Sequence, residues 1–160
     1  MHLVLHSFWD IFSNHYIGVA LIGWFLAQAI KVPLYFVVER KWNWRRFVGS
    51  GGMPSSHTAM VVSVGITVGA LNGFATAEFA LCFVFAAVVM YDAAGVRRET
   101  GTQSMVINQI LKDILINGKR ISDEELKELV GHTPLEVLCG AILGLLVSGV
   151  YVAILTGYVG

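Results

Sequence analysis

Residues 135–156 read LEVLCGAILGLLVSGVYVAILT, and after Glu136 the run carries no charge. About 20 consecutive apolar residues cross the roughly 30 Å hydrocarbon core of a bilayer as a helix, so this stretch predicts a membrane span. Three earlier segments read the same way. Phe79 to Val96 is FALCFVFAAVVMYDAAGV, with Asp92 its only charge. Tyr16 to Val38 is apolar apart from Gln28 and Lys31, and His57 to Asn72 is the shortest of the four. Asn72-Gly73 marks a tight turn between the second and third. Hydrophobic residues make up 56% of the chain and charged residues 14%, with mean hydropathy +0.68. A soluble domain would carry about 25% charged residues, so lipid is the solvent for much of this surface. A length of 160 residues suits one domain. The expectation is an all-α, polytopic membrane helix bundle with four spans plus amphipathic and short helices, a single embedded domain over residues 1–160.

Shorter elements fill the gaps. Residues 2–13, with Phe8, Trp9 and Phe12, suit a helix lying in the interface. Ile107, Ile110, Leu111, Ile114 and Leu115 recur at helical spacing and predict an amphipathic helix. Ser122 and Glu125 have the spacing of a capping box opening a short helix, Asp123 to Val130. Cys82 and Cys139 lie in apolar runs and read as small core residues, not as a disulfide or a metal site. No basic stretch precedes the first apolar residues, so no cleaved signal peptide is expected.

Net charge is zero, but its distribution is one-sided. With four spans, residues 39–56 and 97–134 share one side of the membrane, and the termini and the 73–78 turn share the other. Lys31, Arg40, Lys41, Arg45, Arg46, Arg97, Arg98, Lys112, Lys119, Arg120 and Lys127 all lie in or next to the first side. An excess of Lys and Arg marks the cytoplasmic side, which puts the two long connections in the cytoplasm and both termini opposite.

Three polar strings gather on that basic side. Gly51-Gly52-Met53-Pro54-Ser55-Ser56-His57-Thr58 opens the second span. Glycines let backbone approach a ligand, proline suits a first helical turn, and a helix N-terminus favours an anion such as phosphate. Ser55 and Ser56 add donors, and His57 can carry a proton. The plainer reading is a loop and an ordinary helix start. Gly131-His132-Thr133-Pro134-Leu135-Glu136 opens the fourth span. A carboxylate four residues after a histidine can fix its tautomer, while Thr133 and Glu136 also have capping-box spacing. Tyr91-Asp92-Ala93-Ala94-Gly95-Val96-Arg97-Arg98 closes the third span. Its arginines either meet headgroups or turn inward, and Asp92 within a span calls for a partner or a function. Lys31, with Gln28 one turn earlier on the same face, either snorkels or faces the bundle.

Steps of four from His57 meet Gly65, Gly69 and Gly73; from His132 they meet Glu136, Gly140, Gly144 and Ser148. Small residues at this spacing let membrane helices approach closely. They are expected to bring the two histidine-bearing ends together, and they also offer a surface for homo-oligomers.

The strings MPSSHT (53–58) and GHTPLEVLCG (131–140), with YDAAGVRR (91–98) between them, resemble the type 2 phosphatidic acid phosphatase superfamily, which includes the vanadium haloperoxidases. The chain looks like a small, divergent membrane branch of it, over roughly residues 28–148. Pro54, Ser55 and His57 match the family's Pro-Ser-Gly-His element, with Ser56 in place of glycine. His132 and Glu136 match the end of its third element, with glutamate in place of aspartate. The arginine six residues before that histidine is Leu126 here, and the chain has no Arg-Pro pair. By this resemblance Lys31, with Lys41 as the second candidate, would be the counterpart of the first-element lysine, and Arg97 or Arg98 can supply the missing charge.

The resemblance implies a membrane phosphatase acting through a phosphohistidine on a lipid or polyprenyl phosphate. His132 would be the nucleophile, Glu136 its orienting group and His57 the acid and base. Lys31, Ser55, Ser56, Arg97, Arg98 and Asp92 would form the substrate-binding set. It implies no metal and no cofactor, inhibition by vanadate as a phosphate mimic, and no nucleic-acid partner. Two other classes fit the residues: a catalytically degenerate lipid-phosphate-binding or scaffold protein, and a transporter or channel using Lys31 and Asp92. The topology is testable with single cysteines at Ser50 and Asn72, in a background lacking Cys82 and Cys139. They should be labelled from opposite sides of the membrane; labelling from the same side rules out the four-span arrangement.

Overall fold

The computed structural model of the protein describes residues 10–40, 52–95, 101, 103–107, 110 and 132–157. Four long helices carry the fold: α1 His15–Glu39, α2 Ser56–Asn72, α3 Ala77–Ala94 and α4 Pro134–Leu155. Among the described residues there is no strand. The all-helical membrane bundle expected from the sequence is what forms. Helices α1, α3 and α4 are long and apolar enough to cross a membrane. The fourth expected span, α2, has 17 residues and so covers roughly 25 Å at about 1.5 Å per residue.

Each helix start is written locally. Asn14 caps α1 by accepting from the Tyr16 and Ile17 amides. Ser55 caps α2 by accepting from Thr58 N, and Thr76 caps α3 by accepting from Phe79 N. Thr133 and Glu136 form a reciprocal capping box on α4, with Pro134 in its first turn. Such caps satisfy amides that water would otherwise solvate. Inside α1, Pro33 lacks an amide hydrogen and so leaves one carbonyl of the preceding turn without its helical donor.

The short helix is the hub. α2 packs extensively against α1, α3 and α4, whereas α3 meets α4 only slightly. The buried residues of α2 are mostly small or polar: Ser56, Thr58, Ala59, Ser63, Gly65, Thr67, Val68 and Gly69. Large apolar side chains instead point outward from α3 and α4, among them Leu81, Phe83, Phe85, Leu138, Leu146 and Val150. This inverted distribution suits a bundle in lipid, where helices gain little from hiding apolar surface and associate through close packing.

That packing rests on glycines. A Cβ at Gly140 would lie 2.5 Å from the Ser55 carbonyl oxygen, and one at Gly144 2.8 Å from that of Ala59. From the other side, a Cβ at Gly23 of α1 would lie 2.5 Å from Ser63 Oγ. The Ser63 hydroxyl donates to the Ala59 carbonyl at 2.7 Å and reaches that of Gly144 at 3.3 Å. The stripe on α4 therefore faces α2 as the spacing suggests. The stripe on α2 does not face α4 throughout: Gly65 sits against Cys82 and Gly69 against Phe74 and Phe79, both toward α3. Cys82 and Cys139 are half-buried free thiols.

α2 and α4 run parallel, and α1 and α3 run antiparallel to α2. The starts of α2 and α4 and the end of α3 thus share one end of the bundle. At the opposite end the Tyr16 hydroxyl bonds to Asn72 Oδ1, and His15 Nδ1 meets the Tyr151 hydroxyl. The interfacial segment 2–13 lies outside the described residues except for its last turn, where Phe12 is exposed. Of the amphipathic segment only Ile107 and Ile110 are described, both exposed, and the short helix 123–130 lies outside.

Gly140→Ala should cost about 1–3 kcal/mol, because the added methyl meets backbone that cannot rotate away. Gly149→Ala, with nothing within 4 Å of its Cβ position, should be neutral or slightly stabilising. Thermal unfolding in detergent compares the two; equal melting temperatures would show that α2 and α4 do not pack this closely.

Candidate active site

His57 and His132 come together where α2 and α4 begin. Their ring centroids are 6.5 Å apart and the rings are tilted by 61°. Two contacts set this distance: the glycine packing, and the Ser55 amide, which donates to the Glu136 carbonyl at 3.0 Å. The loop ahead of α2 is thereby tied to the first turn of α4. Gly52 enters that loop at φ +89°, a conformation open to glycine and strained for other residues, and the Met53–Pro54 bond is cis.

His132 is 2% exposed. Its Nδ1 lies 2.8 Å from Glu136 Oε2. An ionised carboxylate only accepts hydrogen bonds, so the proton between them sits on Nδ1. In the neutral ring this leaves Nε2 with its lone pair, and that buried atom has no hydrogen-bond partner among the described residues. The two readings of Glu136 both hold, through one oxygen: Oε2 also accepts from the Thr133 amide at 3.3 Å. The capping box and the histidine orientation are a single device.

Lys31 reaches the same end from α1. It is 3% exposed, and its Nζ lies 3.5 Å from Ser56 Oγ. It is directed into the bundle and does not snorkel. The serine pair divides. Ser56 faces Lys31, whereas the Ser55 oxygen accepts from the Thr58 amide at 3.4 Å and the Thr58 hydroxyl at 3.0 Å. Ser55 is occupied as the α2 cap. Asp92, in the last turn of α3, shares with His57 a pocket of about 240 Å³ completed by Val88, Val89 and Ala93. Arg97 and Arg98, expected to bring positive charge here, lie outside the described residues. Gln28 was legible only as a polar companion of Lys31. It is 4% exposed, and its Oε1 has no partner among the described residues. Its signal was a carboxamide in an apolar span, three residues before a buried lysine.

A pair of imidazoles, one held by a carboxylate, with a buried lysine reaching the neighbouring serine, is a set of groups suited to an oxyanion of tetrahedral shape. The profile of the divergent PAP2 family matches residues 12–147. The chain belongs to this family. It is also 36% identical over 149 residues to the uncharacterized membrane protein YuiD of Bacillus subtilis (strain 168), covering 87% of this chain and 94% of that one. No solved structure matches it.

Nitrogen NMR of ¹⁵N-histidine-labelled protein should show His132 with its proton on Nδ1. Glu136→Gln, which retains a capping side chain, should lose little stability but let the second tautomer appear. Glu136→Ala should lose both the tautomer preference and roughly 1 kcal/mol of stability. A wild-type His132 protonated on Nε2 would contradict the assigned pair.

Proposed function

We propose that the protein is a membrane phosphatase that hydrolyses a lipid or polyprenyl phosphate ester through a phosphohistidine. The observation that carries this reading is the His57–His132 pair, with His132 Nδ1 held by Glu136 and its buried Nε2 without a hydrogen-bond partner among the described residues. Nε2 of His132 attacks phosphorus and the bond to the leaving oxygen breaks. That oxygen takes a proton from His57 and departs as an alcohol. His57, now neutral, accepts a proton from water as the water attacks the phosphohistidine, and the N–P bond breaks to release phosphate.

Phosphoryl transfer needs positive charge around the equatorial oxygens. Lys31 with Ser56 is one source, and Arg97 and Arg98, just beyond the end of α3, are the candidates for the rest. The one-sided Lys and Arg distribution favours a site facing the cytoplasm. One observation favours a second reading. Leu126 stands where the superfamily pattern has arginine, as it would in a degenerate protein that binds a lipid phosphate without turning it over.

A panel of lipid and aryl phosphates on the purified protein separates the two. His132→Ala should abolish turnover and phosphoenzyme. His57→Ala should still form phosphoenzyme from an aryl phosphate, whose leaving group needs no proton, but hydrolyse it about 10²–10⁴-fold more slowly. Vanadate should inhibit and chelators should not. Strict dependence on an added divalent metal would refute the mechanism. Binding of lipid phosphate without turnover would favour the second reading.

A further inference from the structure

Asp92 has no part in the steps just described, and a carboxylate is poorly suited to touch phosphate oxygens. It is the only acid in the last three turns of α3, and a carboxylate inside a span needs a partner or a function. The walls of the pocket it shares with His57 are otherwise apolar: Val88, Val89 and Ala93. His132 is not among them; it meets His57 from α4, and α3 hardly touches α4. His57 therefore stands between the two, with the nucleophile on one side and this pocket on the other.

Building on the phosphatase reading, we propose that the pocket between α2 and α3 is the leaving-group subsite, entered from the lipid phase, and that Asp92 is the positioning residue for His57 there. In-line displacement puts attacking and leaving atoms on opposite sides of phosphorus. A group attacked from the α4 side leaves toward α3, so the first carbons of its chain fall in the apolar pocket. At about 30 Å³ for a water-sized group, 240 Å³ holds several methylenes. The mouth faces lipid: Val88 lines the pocket and is 60% exposed, on a helix whose Leu81, Val84 and Phe85 are exposed as well. Ala93 is buried, so a larger side chain there would fill the space.

Asp92 stabilises the imidazolium of His57 and aims it at the leaving oxygen. As the P–O bond breaks, its electron pair goes to that oxygen, which takes the His57 proton and departs as the alcohol. The charged or titratable groups around His57 among the described residues are Asp92 from α3, His132 from α4 with Glu136 behind it, and Lys31 from α1 through Ser56.

Two measurements test this. The first compares kcat/KM for a long-chain alkyl phosphate with that for para-nitrophenyl phosphate, whose leaving group needs no acid and has no chain. Asp92→Asn should lower the alkyl-to-aryl ratio about tenfold to a hundredfold, within the roughly 10²–10⁴-fold that general acid catalysis supplies. It should also shift the pH profile for the alkyl ester, and Asp92→Glu should recover part of the loss. Ala93→Leu should lower the ratio at least tenfold, chiefly through KM. An unchanged ratio in both variants would overturn the proposal. The second uses wild-type protein and does not depend on turnover. A long-chain alkyl phosphate carrying a diazirine near its phosphate should label the Val88–Ala93 segment, and vanadate should compete. Labelling of α1 or α4 instead, or labelling equally strong with the uncharged alcohol, would overturn it. Vanadate-sensitive labelling at α3 without any turnover would leave the subsite standing and remove the hydrolase reading. Turnover with labelling elsewhere would do the reverse.

Discussion

A methyl group on Gly140 would come within 2.5 Å of the Ser55 carbonyl oxygen, so α4 can lie in its register against α2 only because that atom is missing. Gly144 and Gly23 impose the same condition one turn further along α4 and on the α1 side. In lipid, an apolar helix face is as well solvated outside a bundle as within it, and contact must be gained through fit and polar pairing. The glycines supply the fit. Ser63, donating along its own helix and reaching the Gly144 carbonyl, supplies part of the pairing. The separation of the two histidines follows from this contact, since each begins or precedes one of the helices it joins.

The same economy shapes the chemistry. A polar atom with no partner in a low-dielectric interior is costly, yet His132 Nε2 and Gln28 Oε1 find none among the described residues. Their helices are held by caps and backbone contacts that do not involve those atoms. The fold therefore tolerates them without depending on them. Glu136 shows how little spare polarity there is: one carboxylate oxygen closes the α4 cap and fixes the imidazole.

Much of this was legible in the sequence because helical spans and caps are local. The apolar runs ending at Asn72, Val96 and Thr156 lie close to the helices that form, and Thr133-Pro134-Leu135-Glu136 announced its capping box. Which helix meets which is a different kind of information. Each step of four residues turns about 40° around a helix, so a stripe begun at His57 has rotated well away by Gly69. It ends against Phe74 and Phe79, while on α4 Gly140 and Gly144, a single step apart, both meet α2. Nor did α2, the least apolar and shortest run, look like the centre of the bundle; its small and polar residues mark it as the helix surrounded by others. Ser55 illustrates the remaining difficulty. One hydroxyl suits a cap or a ligand equally well in sequence, and only the position of Thr58 assigns it to the cap.

The difference in helix length is taken up unevenly. Tyr16, Asn72 and Tyr151 are near one another at one end, and Lys31 is level with Ser56 at the other. Beyond Lys31, α1 continues to Glu39, roughly 12 Å further at about 1.5 Å per residue, with Phe36 and Val37 exposed on the way. The histidine pair, next to Ser56, thus lies short of the end of α1. A change in bilayer thickness acts on helices that touch lipid, through tilt and local thinning. The short helix is enclosed by its neighbours, so they absorb that mismatch. A thicker membrane would raise the headgroups along α1 while the position of the histidine pair within the bundle stayed the same.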